Sequence, residues 1–511
     1  MSGARSARDE PSVIAIGPWR LPAFEACLAA IGTVTLLRIA VLLAAPSDLY
    51  PDEAQYWSWS RDFAFGYFSK PPVIAWLIAA TTGLFGEHEW AVRLASPLVH
   101  AGTSLLVYAI GARLYDARIG LWSAIVYASL PAVSFSSGLI STDVPLLFFW
   151  ALALYAFIRL LTSYSFADGA LLGLALGGGL LSKYAMLYFP LGVALAFALN
   201  PKALDRRLVL PGLLALGLGL LVFAPNIAWN AAHKFSTVSH TAANANWHGN
   251  LFNPGELLGF LGDQLGVFGP VLFGVLVFGL VQVLRGRLAG AERERAGDLL
   301  LLSFALPVLA LALSQAFISR ANANWAAAAY VSATVLVTVW MLRPAVWRAL
   351  FPASLALHLA AMAVLYVLLL APGLADALGR ANDFKRVRGW AALGALVERA
   401  AIAEATDMPL TAVLTDDRLT HAEILFYARR LPAPVVIWDA NGVPENHYEL
   451  FAPFTPALGA HVLYVTAKER PSTAILTHFG SSHLIAREVI PLGPGKERVV
   501  HLFALDRYEE R

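Results

Sequence analysis

Two adjacent carboxylates, Asp52 and Glu53, stand in the stretch Pro51-Asp-Glu-Ala-Gln-Tyr-Trp57, just after one long apolar run and before the next. The same loop continues through Gly66-Tyr-Phe-Ser-Lys70-Pro-Pro72, so acids, aromatic rings and a lysine share one short segment. A carboxylate is suited to take the proton of an attacking hydroxyl, and a lysine to hold a departing anion. Charge beside hydrocarbon is expensive, which makes ionisable groups at a membrane face functional candidates. The structural alternative is an interfacial loop in which Tyr56, Trp57 and Trp59 anchor in the headgroup belt and the acids are merely solvated.

Three further groups stand out. Asp143 opens an apolar run in Ser141-Thr-Asp-Val-Pro145, Lys183 interrupts one in Leu180-Leu-Ser-Lys-Tyr-Ala-Met186, and Arg320 follows another in Ser319-Arg-Ala-Asn-Ala-Asn-Trp325. Each has a structural alternative. Asp143 suits a helix N-cap with Pro145 in the first turn. Lys183 suits a lysine snorkelling to the interface, and Arg320 a loop cation. His233, His240 and His248 have no spacing typical of a zinc site and read as solvated loop residues. Cys27 is the single cysteine, which excludes an intramolecular disulfide and a cysteine metal cluster.

The elements that must place these groups follow from composition. Hydrophobic residues make up 58% of the chain and charged ones 14%, with a mean hydropathy of +0.62; a soluble chain carries roughly 25% charged residues. Apolar stretches of about 20 residues recur to about residue 371, the pattern of a polytopic α-helical membrane protein. About eleven spans are expected, at 23–45, 91–112, 119–139, 143–162, 169–183, 185–200, 208–229, 256–284, 298–316, 323–342 and 348–371. With the N-terminus cytoplasmic, the inner loops collect Arg113, Arg118, Arg159, Lys202, Arg206, Arg207, Arg285, Arg287, Arg293, Arg295, Arg343 and Arg348, as the positive-inside bias requires. Residues 46–90, 230–254 and the tail from 372 then lie outside. Within the first outer loop, 53–63 and 73–85 read as helices along the interface.

The tail changes character. Segments 412–415, 434–438, 461–466, 483–485 and 499–503 read as short strands and 389–404 as a helix. The expected organisation is a membrane domain over 1–371 and a soluble α/β domain over 372–511 on the outer face. The glycines at 177–179 suit close helix packing inside the membrane. A net charge of +2, with no basic run, gives no reason to expect a nucleic-acid partner.

The motifs resemble those of the GT-C membrane glycosyltransferases, in the superfamily of protein O-mannosyltransferases and the bacterial lipid A aminoarabinose transferase. Asp52-Glu53 is similar to that group's acidic motif in the first outer loop, and Lys70-Pro-Pro to its lysine near the donor phosphate. Asp143 with Pro145 resembles the second acidic position, and Lys183 the later cation. The likeness is strongest over about 46–190. It implies inverting transfer of one sugar from a polyprenyl-phosphate donor to an acceptor outside the cell inner membrane: lipid A, lipopolysaccharide core or another envelope glycan. It further implies Asp52 as general base with Glu53 and Asp143 in support, and Lys70, Lys183 and Arg320 on the donor phosphate. The aminoarabinose branch has an acidic metal ligand just before the lysine, where this chain has Ser69. A divalent metal ion is therefore an open expectation, and the expected enzyme is a hexosyl- or pentosyltransferase, with a hexose or uronic acid favoured over aminoarabinose. The Trp-Trp-Asp motif of oligosaccharyltransferases is absent. Competing functions are protein O-mannosyl transfer to Ser/Thr, and a transporter or flippase of lipid-linked sugar. A transporter would place ionisable groups near the bilayer midplane, whereas here they gather at one face.

Overall fold

The computed structural model describes residues 13–16, 19–247, 249–287, 291–343 and 348–510; His248 lies outside the described residues. The chain divides into two compact units. One comprises 1–42 with 94–365, the other 43–93 with 366–511.

The first unit is helical. Six helices among the described residues of the chain are long and apolar enough to cross a bilayer: Ala23–Ala44, Glu89–Leu114, Asp143–Ser163, Arg206–Ala232, Glu292–Ile318 and Leu350–Leu370. This is a multi-pass membrane protein. Several other expected spans fall on shorter apolar helices, Phe166–Ser182, Tyr184–Leu199 and Ala329–Leu342. The run 256–284, expected as one span, is two helices, Pro254–Val267 and Pro270–Leu284, bent by 117°. The break has a local cause: Gly269 sits at φ +93°, and Pro270 cannot continue the hydrogen-bond ladder of the helix before it.

Close packing rests on glycine. Gly169, Gly173 and Gly177 repeat every four residues on Phe166–Ser182, so they share one face. A Cβ there would stand 2.5 Å from the Pro211 carbonyl oxygen, 2.6 Å from that of Ala215 and 2.6 Å from Val222 Cβ. The helix Val209–Ala232 therefore lies backbone to backbone against it, a contact only small residues permit. Gly178 and Gly179 turn elsewhere, toward Phe149 and Met186. Gly173→Ala should lower the thermal inactivation midpoint in detergent, by the equivalent of about 1–3 kcal/mol. Gly217→Ala, on the partner helix but open to space, should leave that midpoint unchanged.

The second unit contains a five-stranded sheet: β1 Ala412–Thr415, β2 Val435–Ile437, β3 His461–Thr466, β4 Phe479–Gly493 and β5 Lys496–Tyr508, in the order β2-β1-β3-β5-β4. β1 is parallel to β2 and β3, while β5 is antiparallel to both β3 and β4. The central strands alternate strictly. Val413, Leu463 and Val465 join one core with Trp390, Val397 and Ile424; Ala412, Leu414, Val462 and Tyr464 join the other with Phe479. Both faces of these strands are thus covered, as parallel strands require. The helices Trp390–Asp407 and Arg418–Tyr427 supply the first of those covers.

The first loop packs with this tail. It contributes the helices Pro51–Ser60 and Val73–Phe85. The Asp48 carboxylate accepts from the Trp390 amide at 2.7 Å, and the Tyr427 hydroxyl accepts from the Leu49 amide at 2.8 Å. Trp57 meets Phe426 edge-on with ring centroids 4.9 Å apart.

Candidate functional site

Asp52 and Glu53 occupy the first turn of Pro51–Ser60, where the helix dipole favours carboxylates. Neighbouring helical residues project about 100° apart, and here that angle separates two fates. Glu53 points inward and is 1% exposed. Its two oxygens accept from Arg93 Nε at 3.0 and 3.1 Å, and Oε2 also accepts from Arg93 Nη2 at 2.7 Å. Oε2 further accepts from the Tyr50 amide at 2.9 Å, closing the helix start. Arg93 spends its remaining donors on Ser47 and the Asp48 carbonyl.

Asp52 points outward, its side chain 43% exposed. Oδ1 accepts from Arg418 Nη1 at 2.8 Å, and the same Nη1 also reaches Gln55 Oε1. Among the described residues Oδ2 has no hydrogen-bond partner. One oxygen is anchored and the other faces outward, which suits a carboxylate that must receive a proton from a visiting hydroxyl.

Arg418 comes from the first position of the tail helix Arg418–Tyr427, which is capped by the Asp417 carboxylate accepting from the Leu419 and Thr420 amides. Further along that helix two titratable groups are buried. Burial, and then the neighbouring His447, push His421 down to about 3. Burial, and then Asp48, push Glu423 well above the usual carboxylate range. Arg418 is the charge this helix presents to Asp52. Beneath it the Tyr448 hydroxyl pairs with Ser58 Oγ at 2.9 Å, fixing the far end of the Asp52 helix. Lys70 belongs to the same unit, in the turn before Val73–Phe85, where its carbonyl accepts from the Tyr67 amide at 3.0 Å.

In the helical unit Asp143 and Lys183 are brought together. Asp143 lies in the first turn of Asp143–Ser163 without capping it; the N-cap position is Thr142. Its Oδ1 accepts from Lys183 Nζ at 2.7 Å and its Oδ2 from Asn324 Nδ2 at 2.6 Å. Lys183 is placed by a break: the helix Phe166–Ser182 ends there, Lys183 is extended at φ −162°, and a 3-10 turn follows. Instead of snorkelling alone, the ammonium is held by a carboxylate. The pair is largely buried, with side chains 12% and 22% exposed. An ammonium has three donors, and a single hydrogen bond engages Nζ among the described residues. Arg320 does not join this pair. It is exposed on the loop that also carries Asn324, lining a cavity of about 150 Å³ with Asn244, Asn322 and Trp325.

Arg93, Arg418, Gln55 and Asn324 were not singled out from sequence. Arg93 carried a signal, as a cation at the very start of an apolar run. The other three did not. Among the described residues no three His, Cys, Asp or Glu side chains assemble into a set able to hold a metal ion, and Ser69 precedes Lys70.

Comparison with known proteins adds four likenesses. The family described as dolichyl-phosphate-mannose-protein mannosyltransferase matches residues 69–229. Lipid A galacturonosyltransferase RgtD of Rhizobium johnstonii is 34% identical over 443 residues, 84% of this chain and 89% of that one. The undecaprenyl phosphate-α-4-amino-4-deoxy-L-arabinose arabinosyl transferase of Pseudomonas aeruginosa is 34% identical over 193 residues, 34% of this chain and 35% of that one. Among solved structures, ArnT from Cupriavidus metallidurans bound to undecaprenyl phosphate matches with a TM-score of 0.63 at 16% identity, covering 93% of this chain and 97% of that one. That likeness is one of fold.

Proposed function

This chain belongs to the GT-C membrane glycosyltransferases, and from that membership we propose that it moves one sugar, a uronic acid or hexose, from a polyprenyl-phosphate donor onto lipid A or lipopolysaccharide core. The similarity to a lipid A galacturonosyltransferase over most of both chains supports the substrate class. The Lys/Arg bias supports about eleven spans in the cell inner membrane, with a cytoplasmic N-terminus and the tail domain outside.

The observation that carries the chemistry is the divided carboxylate of Asp52. Arg418, itself held by Gln55, fixes its position, and Oδ2 is left to accept the proton of the acceptor hydroxyl. As the acceptor's oxygen attacks the anomeric carbon, the bond from carbon to the donor phosphate oxygen breaks on the opposite face, inverting the centre. The electron pair leaves with the polyprenyl phosphate. Lys183, oriented by Asp143, meets the growing negative charge with its two remaining N–H groups; Lys70 and Arg320 are the further cations we assign to the donor phosphate. Glu53 supports the base indirectly, by locking the helix that carries it.

Cells lacking the protein should lose one hexuronic acid or hexose from lipid A or core, read by mass spectrometry of extracted lipid. Purified protein given a polyprenyl-phosphate sugar should label lipid A. Labelling of Ser/Thr peptides instead would favour protein O-mannosyl transfer, and movement of donor across vesicles without transfer would favour a flippase. Lys183→Ala should reduce transfer about 10²–10³-fold, and Lys70→Ala should raise the apparent KM for donor more than for acceptor. Rates measured against donor concentration that stay at wild-type values would remove these lysines from the phosphate site.

A further inference from the structure

The helix Asp143–Ser163 carries Asp143 at one end, and its other end borders a cavity of about 530 Å³. With a rise of 1.5 Å per residue the two are roughly 21–28 Å apart, so this cavity is separate from the Asp143–Lys183 pair. It has two kinds of wall. Leu114, Phe157, Leu161, Phe197 and Leu300 make it apolar, while Arg113 and Arg293 with Thr162 and Asn200 stand at its polar side.

Both arginines are exposed, and neither has an ionic partner among the described residues. Arg113 gives Nη2 to Thr162 Oγ1 at 2.7 Å, and among the described residues its other donors have no partner. Arg293 makes no hydrogen bond or ion pair among the described residues, and it sits in the first turn of Glu292–Ile318. A cation is disfavoured there, because that end of a helix already carries the positive end of the dipole. Glu292 and Glu294 share the turn but do not line the cavity; Glu294 is turned to Arg343 at 3.5 Å. Arg343 itself is taken up by the buried Asp298 at 2.8 Å. Two exposed guanidinium groups with no ionic partner among the described residues, beside an apolar trough, suit an anionic headgroup that continues into hydrocarbon.

We propose that this cavity binds the phosphate of an anionic diacyl phospholipid from the surrounding leaflet, the acyl chains lying against Phe157, Leu161 and Phe197. The Arg-rich end of the bundle is the one the charge bias assigns to the cytoplasm, where such lipids supply the matching charge. The site is distinct from the donor's and does not depend on the transfer reaction.

The full-length protein in detergent, titrated with dihexanoyl phosphatidylglycerol and monitored by native mass spectrometry, should bind one molecule saturably. Dihexanoyl phosphatidylcholine should not bind. Arg113→Gln with Arg293→Gln should weaken the complex about tenfold or more, since charge-assisted hydrogen bonds are lost. Ala296→Trp, which fills the cavity and keeps both charges, should weaken it as much. Equal binding by the wild type and both variants would overturn the proposal. So would phosphatidylcholine matching phosphatidylglycerol, which would mean apolar filling alone. Farnesyl phosphate binding about tenfold more tightly than phosphatidylglycerol would also overturn it, assigning the cavity to an isoprenyl lipid.

Discussion

Asp52→Asn is expected to cut sugar transfer by about 10²–10⁴-fold, the range general-base catalysis contributes. The substitution is close to isosteric. An amide oxygen can still accept from Arg418 Nη1, so the link to the tail helix is kept. What is lost is the capacity of the outward oxygen to take a proton. At 43% exposure the side chain stands at the surface, and surface substitutions shift stability by less than about 0.5 kcal/mol. The protein should therefore purify and melt as the wild type does, and bind donor unchanged, while kcat falls. Transfer at the wild-type rate would end the assignment of Asp52 as base. Arg418→Ala supplies the complementary measurement: the carboxylate remains but loses its anchor, so a smaller loss in kcat is expected, restored in part by Arg418→Lys.

Why the two neighbouring carboxylates differ was not readable from their sequence. Asp52 and Glu53 are equivalent as residue types, and which side of a helix meets the protein is decided by partners far away. Arg93 is 40 positions from Glu53, Arg418 is 366 from Asp52, and Asn324 is 181 from Asp143. No local pattern encodes such pairings. Local patterns did reveal what depends on local chain physics. The helix Val73–Phe85 has the expected bounds, and the tail strands declared themselves as short apolar runs rich in β-branched residues. The helix Arg418–Tyr427 has a good cap signal in Asp417, but the strands around it dominate the pattern of that region. The broken pair at Gly269 was legible too. Gly269-Pro270 is strong punctuation, but the unbroken apolar run around it read as one span. Asp143 and Lys183 were each visible as charges at span ends. Their contact was not, because it depends on how two helices are arranged in space.

Glu53→Ala is expected to act on stability instead of chemistry. Glu53 and Arg93 are 1% and 4% exposed and hold each other through three N–H···O contacts. Truncating one partner leaves a buried guanidinium without its counter-charge, at a cost of about 3–5 kcal/mol. Arg93 also ties down Ser47 and the Asp48 carbonyl, and Asp48 in turn holds the start of the helix Trp390–Asp407. The loss should therefore loosen the whole unit formed by the first loop and the tail. Unfolding of such a protein is governed by rate, so the measurement is the half-life of thermal inactivation in detergent, which should shorten sharply. Removing both charges separates this from a role in catalysis. Glu53→Leu with Arg93→Met leaves no unpaired ion, and such replacements of a buried pair are often neutral or stabilising. That double variant should recover much of the lost half-life and transfer sugar at near the wild-type rate. If it recovers stability but transfers no sugar, Glu53 or Arg93 takes part in the reaction itself, and Asp52 does not act as the base alone.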